Sequence, residues 1–272
     1  VDTEAPIGIF DSGLGGLTVT RAIADRMPSE HLLYLGDTAR VPYGTRSPET
    51  VLRYARSCAR VLQARGIKLL VVACNTVSAV ALDMLRVELD IPVLGVIEPG
   101  ARAVVRASQQ HRVGVLATTG TVASGAYPRA VASVDSRCEV FARAAPLLVP
   151  LAEEGWIEGE VPTLVMDRYL AELSSHGVDS IVLGCTHYPL FRPLLDARAR
   201  ALCGEATLVV DSAEATAAEL HELLEARAMA RSSATPGSLR MFVTDMPGRF
   251  SEVAARFLGR SIEGLSVEQI DL

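Results

Sequence analysis

Leu69-Leu70-Val71-Val72-Ala73-Cys74-Asn75-Thr76 reads as a buried strand ending in a cysteine, and Ser180-Ile181-Val182-Leu183-Gly184-Cys185-Thr186-His187 repeats that pattern later in the chain. Gly66 stands eight positions before Cys74, and Gly177 eight before Cys185. A short, uninterrupted apolar run bounded by turn residues argues for a strand covered on both faces, as in parallel sheets. Each cysteine sits where the apolar run stops and small polar residues begin, the end at which parallel-sheet proteins place their sites. One thiol presented twice in related frames implies a site built from two facing halves.

The same strand–turn–helix unit recurs on either side of these stretches. Ile7-Gly8-Ile9-Phe10 leads into Asp11-Ser12-Gly13-Leu14-Gly15-Gly16 and a helical pattern through Val19, Ala22, Ile23 and Met27, closed by Pro28. Strand, Gly-rich turn and helix open a βα unit. A strand over 31–35 ends at Gly36-Asp37-Thr38, and the loop Pro42-Tyr43-Gly44 follows. Ser47-Pro48-Glu49 then starts a helix predicted over 47–65, because Ser suits the N-cap and Pro the first turn. The first cysteine strand is followed by a helix over 78–89 and a strand over 91–96.

After Glu98-Pro99-Gly100 the pattern starts again. A helix near 101–110 and a strand over 112–117 lead to Thr118-Thr119-Gly120-Thr121, then to one helix through Tyr127 and Val131. A strand over 139–142, a loop or helix start at 149–155 and a helix over 162–175 follow. The second cysteine strand and Leu208-Val209-Val210-Asp211 complete this half. The remaining helix 213–231, strand 241–245 and helix 250–258 have no counterpart in the second half. This tail is expected to pack back on the first domain and make it discontinuous. The domains are therefore expected as 1–97 plus 209–272, and 98–208.

At 272 residues, 49% hydrophobic and 21% charged, the chain is long enough for two globular domains of roughly 100–150 residues each. No apolar run approaches the ~18–20 residues of a membrane helix, so no membrane association is expected. Nothing resembles a signal peptide, and Val1 in place of an initiator Met leaves the natural start open. A net charge of −6 argues against nucleic acid as the main ligand. The five cysteines (Cys58, Cys74, Cys138, Cys185, Cys203) are odd in number and widely spaced. That fits reduced thiols in a cytoplasmic protein better than a disulfide framework. Neither CxxC nor HxxxH spacing occurs, so no metal site is expected.

A thiol between a strand end and a helix start lies in the positive end of the helix dipole, which is expected to lower its pKa. Cys58, Cys138 and Cys203 are read as small buried hydrophobes. Cys74 and Cys185 differ, because their positions match and their neighbours Asn75-Thr76 and Thr186-His187 are polar. The Asp11–Gly16 turn resembles a dinucleotide fingerprint, but Gly13-x-Gly15-x-x-Thr18 lacks the third glycine, and Asp11 would repel a pyrophosphate. The turn is better suited to an ammonium group or to orienting a catalytic partner, with Ser12 free to bind a small anion. His187, two residues past Cys185, can pair with the thiol, bind a carboxylate or cap a helix. By themselves Glu153-Glu154 read as a solvated pair and Pro42-Tyr43-Gly44 as a turn.

Taken together, these residues resemble the glutamate racemases of the cofactor-independent aspartate/glutamate racemase superfamily. The resemblance runs from Gly8-Ile9-Phe10-Asp11-Ser12-Gly13-Leu14-Gly15-Gly16 to Arg249-Phe250. It includes Asp37-Thr38, Pro42-Tyr43-Gly44, Cys74-Asn75-Thr76, Val149-Pro150-Leu151 with Glu153 and Gly155, and Gly184-Cys185-Thr186-His187-Tyr188-Pro189. It implies an α/β protein of two pseudo-symmetric, doubly wound domains with mainly parallel sheets, the active site lying in the cleft between them. It also implies a homodimer and no cofactor. Cys74 and Cys185 would be the catalytic thiols, assisted by Asp11, Asp37, Glu153 and His187. Contacts to L- and D-glutamate would come from Asp11-Ser12, Pro42-Tyr43-Gly44, Asn75-Thr76 and Thr186-His187, with Thr119 and Thr121 in the same set. Some members inhibit DNA gyrase, and none of these residues bears on that.

The chemistry is compatible. Racemising an amino acid removes a proton from one face of Cα and returns one to the other, so one acid/base group is needed on each face. Cα–H is a very weak acid, which demands a well-placed thiolate and preorganised donors for the carboxylate. A pyridoxal route needs a Schiff-base lysine; the only lysine, Lys68, lies at the far end of its strand from Cys74. An aspartate racemase with the same thiols, a catalytically silent amino-acid-binding module and a Cys–His hydrolase using Cys185 and His187 remain as alternatives. The last leaves Cys74 unexplained.

Overall fold

The computed structural model describes residues 2–245 and 250–272; Arg249, at the end of the family resemblance, lies outside them. The first half runs β1 (Ile7–Asp11), α1 (Leu17–Arg26), β2 (Leu32–Gly36), α2 (Pro48–Gln63), β3 (Leu69–Val72), α3 (Asn75–Glu88) and β4 (Val93–Gly95). The second runs α4 (Ile97–Ala107), β5 (Arg112–Ala117), α5 (Thr119–Ala123), α6 (Ala126–Val134), β6 (Glu139–Ala144), α7 (Leu148–Glu154), α8 (Glu160–Ser175), β7 (Ser180–Gly184), α9 (Arg192–Cys203) and β8 (Leu208–Asp211). The tail adds α10 (Ser212–Ala226), β9 (Leu239–Val243), α11 (Phe250–Leu258) and β10 (Ser266–Gln269).

The strands form two sheets, ordered β10-β9-β2-β1-β3-β4 and β6-β5-β7-β8. Every pairing among the described residues is parallel. The order β2-β1-β3-β4 in one sheet recurs as β6-β5-β7-β8 in the other, which is the expected pseudo-symmetric, doubly wound α/β architecture. Both cysteine strands are buried throughout, as their unbroken apolar runs require. Gly66 and Gly177 share a reason for being glycine. Each follows a helix C-terminus with positive φ, +73° and +62°, a region that disfavours a Cβ.

Several local expectations shift. Glu98-Pro99-Gly100 lies inside α4, which starts at Ile97; proline is tolerated in a first turn, where its missing N–H costs no helical bond. Gly125, at φ 65°, splits the helix expected through Tyr127 into α5 and α6. The segment 149–155 is helical as α7 and stops at Gly155. Unpredicted elements are α9, with Pro193 in its first turn, and β10, a four-residue, largely exposed edge strand. β8 pairs with β7 as far as Asp211, so the second sheet runs three residues past 208.

The tail does not belong to one side only. β9 and β10 extend the first sheet, whereas α10 lies against both α1 and α4. One core cluster joins Ile7, Ile9 and Leu17 of the first lobe to Leu170, Ile181 and Leu183 of the second, with Leu220 of α10 between them. Each such side chain contributes about 1.5–3 kcal/mol on full burial, and the cluster runs from one lobe to the other without a break.

Candidate active site

In each sheet the order reverses beside the first strand: β1 leads outward to β2 on one side and β3 to β4 on the other, and β5 to β6 and β7 to β8 do the same. The carboxyl ends of such strands open a crevice. The two crevices face each other and enclose one cavity of about 360 Å³. From the first lobe, Ser12 and Gly13 after β1, Val41 to Thr45 after β2, and Cys74, Asn75 and Thr76 after β3 line it. From the second come Thr118 and Thr119 after β5, Pro146, Val149, Pro150 and Glu153 around α7, and Cys185, Thr186 and His187 after β7.

Most of the predicted site residues therefore meet around one cavity, on the facing walls of the two lobes. Asp11, Asp37 and Thr121 sit behind it, each at most 1% exposed. Thr121 bonds the hydroxyls of Thr118 and Thr76, tying α5 to α3. Asp37 accepts from Tyr43 Oη, Arg40 Nε and Thr244 Oγ1, and so fixes the Tyr43 ring against the cavity. Thr118, Gly13, Val41, Thr45, Pro146, Val149 and Pro150 line the cavity without having been singled out as contacts. Gly13, Val149 and Pro150 belong to motifs of the family resemblance; for the others only a position after a strand end could have marked them.

The lobes are held in register around the cavity. Thr18 Oγ1 donates to the Thr186 carbonyl (2.9 Å), and Tyr127 Oη to Asn75 Oδ1 (2.9 Å). Gly15 packs so closely on the second lobe that a Cβ there would collide with Thr186 Oγ1 and come within 2.5 Å of His187 Nδ1. Two buried polar atoms of this region have no hydrogen-bond partner among the described residues, Asp11 Oδ1 and Asn75 Nδ2. Leaving such a group unsatisfied costs about 1–3 kcal/mol. Asn75 lines the cavity, which makes its amide a free donor for a ligand.

The two thiols occupy unlike electrostatic settings. α3 starts at Asn75, three residues before the expected 78, which puts Cys74 at the N-cap position between strand and helix, with its Sγ 3.3 Å from Ser12 Oγ. The expected lowering of its pKa does not follow. Burial and then the carboxylate of Asp11 push it up to about 12, against the hydrogen bonds of Ser12 and the Val77 amide. Burial also raises Asp11, against backbone hydrogen bonds and the charge of His187.

Cys185 is not followed directly by an α-helix. A single 3₁₀ turn, Tyr188–Phe191, intervenes before α9. Its partner is the His187 ring instead: Cys185 Sγ lies 3.8 Å from His187 Nδ1, and His187 Nε2 lies 3.0 Å from Glu153 Oε1. Burial pulls the imidazolium down, but the hydrogen bonds and charges of Cys185 and Glu153 outweigh it and push His187 up to about 10. Phe257 of α11 meets the His187 ring edge-on at 4.9 Å, and Arg256 donates to the carbonyls of Ala152 and Glu153. The tail helix thus braces the His187–Glu153 pair. Lys68, by contrast, is buried at the other end of β3 with Glu30 (2.6 Å).

Fold and site define the class: a two-lobed α/β enzyme with one thiol from each lobe in a shared cavity. The family model described as Asp/Glu/Hydantoin racemase matches residues 7–220. A glutamate racemase of Geobacter metallireducens is 51% identical over 93% of this chain and 92% of its own. Among solved structures, glutamate racemase isoform RacE1 of Bacillus anthracis superposes with a TM-score of 0.92 at 36% identity, covering 99% of this chain and 98% of that one. The Francisella tularensis glutamate racemase in complex with D-glutamate gives 0.90 at 32% identity, with the same coverage. The chain belongs to the Asp/Glu/hydantoin racemase family, in its glutamate racemase branch, and is an isomerase.

Proposed function

We propose that the chain interconverts L- and D-glutamate by proton transfer between two thiols, without cofactor, and supplies D-glutamate for peptidoglycan in the cytoplasm. The observation that carries this reading is the meeting of Cys74 and Cys185, each on its own sheet, in one small cavity. In the L-to-D direction Cys185 accepts the Cα proton as thiolate, with the His187 imidazolium as its counter-charge. Cys74, held neutral by burial and Asp11, then gives its proton to the opposite face of the planar carbanion. The reverse direction exchanges the roles, with Asp11 beside Cys74 and His187 beside Cys185 as the assisting groups. Asn75 Nδ2, the Thr76 and Thr186 hydroxyls and Ser12 are the donors proposed for the substrate carboxylates, preorganised as developing charge requires.

Serine in place of either cysteine keeps the size but makes a far poorer base, so racemisation collapses in both variants. Elimination from a β-substituted glutamate analogue needs only the first proton abstraction. Cys74→Ser is expected to retain elimination from the L-type analogue and lose it from the D-type, and Cys185→Ser the reverse. Loss of both eliminations in both variants would sink the two-base scheme. Aspartate, assayed alongside by solvent deuterium incorporation at Cα, separates the aspartate racemase alternative. The same family resemblance supports a homodimer, and a sedimentation mass of one chain at working concentration would rule it out. The two lobes are proposed as two domains, the first discontinuous, with strands before 97 and after 238 in one sheet.

A further inference from the structure

At the amino ends of the second sheet, away from the cavity, β5 and β6 run parallel with Arg112 opposite Glu139. The residues just before them, His111 and Cys138, are therefore neighbours. Asp135, where α6 ends, joins them through a tight turn in which Cys138 N donates to the Asp135 carbonyl (3.2 Å). His111 Nδ1 lies 3.7 Å from Cys138 Sγ and 3.6 Å from Asp135 Oδ2, and one donor atom from each residue falls within 4.8 Å of the others. No other such trio of His, Cys, Asp or Glu occurs among the described residues.

From these distances we infer that His111, Asp135 and Cys138 form a binding site for a divalent, borderline-soft cation, with Zn²⁺ the best match. A tetrahedral zinc with bonds of ~2.3 Å to sulfur and ~2.0–2.1 Å to nitrogen or oxygen holds S and N about 3.5–3.6 Å apart and N and O about 3.3–3.4 Å apart. The two spacings from His111 Nδ1 exceed these by only a few tenths of an ångström, and the sulfur and the carboxylate lie within 4.8 Å of each other, so side-chain rotations have to draw those two together. One nitrogen, one sulfur and one carboxylate oxygen are a donor set suited to Zn²⁺ and unsuited to Mg²⁺ or Ca²⁺, which take oxygen ligands. Three protein ligands leave a fourth position for water.

His111 also holds a left-handed backbone, φ 58°, unusual for a residue with a Cβ. The competitor is Arg137, whose guanidinium pairs with Asp135 (2.7 Å). Arg137 is 73% exposed but Asp135 only 17%, and the guanidinium bonds both carboxylate oxygens, so a bound ion has to displace Arg137 from Asp135. Binding converts the Cys138 thiol to a zinc thiolate and releases its proton to water. The sequence spacing His111…Asp135-x-x-Cys138 fits no zinc pattern; the strand register creates the group.

The test uses the full chain carrying Cys74→Ser and Cys185→Ser, reduced and freed of metal by chelation, so that the cavity thiols cannot bind the probe. Titration with Co²⁺ is expected to produce a thiolate-to-cobalt absorption band in the near ultraviolet, saturating at one equivalent and bleached by Zn²⁺. Cys138→Ser on this background should lose the band. His111→Ala, a second variant, should lose the rise in melting temperature that Zn²⁺ gives the parent. Absence of the band at excess Co²⁺, or its persistence in Cys138→Ser, overturns the assignment, as does an unchanged Zn²⁺ stabilisation in His111→Ala.

Discussion

At the scale of single residues, the site depends on charges placed behind the thiols as much as on the thiols. Asp11 lies within electrostatic reach of Cys74 and is among the causes that push it up to about 12. Asp11→Asn removes that charge while keeping the shape, so the Cys74 thiol moves down and ionises more readily. The rate of Cys74 alkylation near neutral pH should rise, read by mass spectrometry of the labelled peptide, while racemisation falls. His187 behaves oppositely. Its folded pKa of about 10 stands above the ordinary 6.5, so its contribution to stability is complete below about 6.5 and is lost as pH rises through 10. Glu153→Gln removes one of the groups that raise it. The alkaline fall of kcat should then begin at lower pH than in the parent chain, and an unmoved alkaline limb would show that Glu153 does not tune the pair. The limbs belong to the coupled set of thiols and partners, not to one residue.

Among the elements, two kinds of glycine can be separated by experiment. Gly66 has open space where a methyl would stand but a φ of +73°, so only backbone strain opposes alanine there. Gly66→Ala should cost about 1–2 kcal/mol, seen as a lower denaturant midpoint at unchanged slope, with kcat retained. Gly15 carries no positive φ, and its methyl would meet Thr186 and His187 of the other lobe. Gly15→Ala should therefore strike activity far harder than stability, by wedging the lobes apart at the cavity. Equal loss of both properties in the two variants would refute this division between strain and contact.

For the molecule as a whole, the shared core decides the expectation. Ile7, Leu17, Leu183 and Leu220 belong to one cluster that spans both sheets, and α10 touches helices of both lobes. Separating the lobes exposes that surface, so neither is expected to melt alone. Urea unfolding followed by far-ultraviolet dichroism, which reports both lobes, and by the fluorescence of Trp156, which lies in the second, should give one common midpoint. Two midpoints would mean that the lobes are stable independently and that the shared cluster contributes little.

The chain by itself determined the two cysteine strands, the βα alternation and the doubling of the architecture, because these follow from local signals: uninterrupted apolar runs, glycines eight positions before each thiol, and polar residues at the strand ends. It also marked most of the cavity, since in parallel sheets the residues after the strands are where a site forms. Tertiary structure alone decided the rest. The strand-to-helix position of Cys74 predicts an easily ionised thiol, yet burial beside Asp11 reverses the sign, and desolvation is not written in any short stretch. Asp37 and Thr121 carried the right chemistry but stand behind the wall, a distinction set by which side of a loop faces the gap. The bracing of His187 by Phe257, the α10 bridge and the trio His111, Asp135 and Cys138 each join residues far apart in sequence, and only strand register and helix packing bring them together.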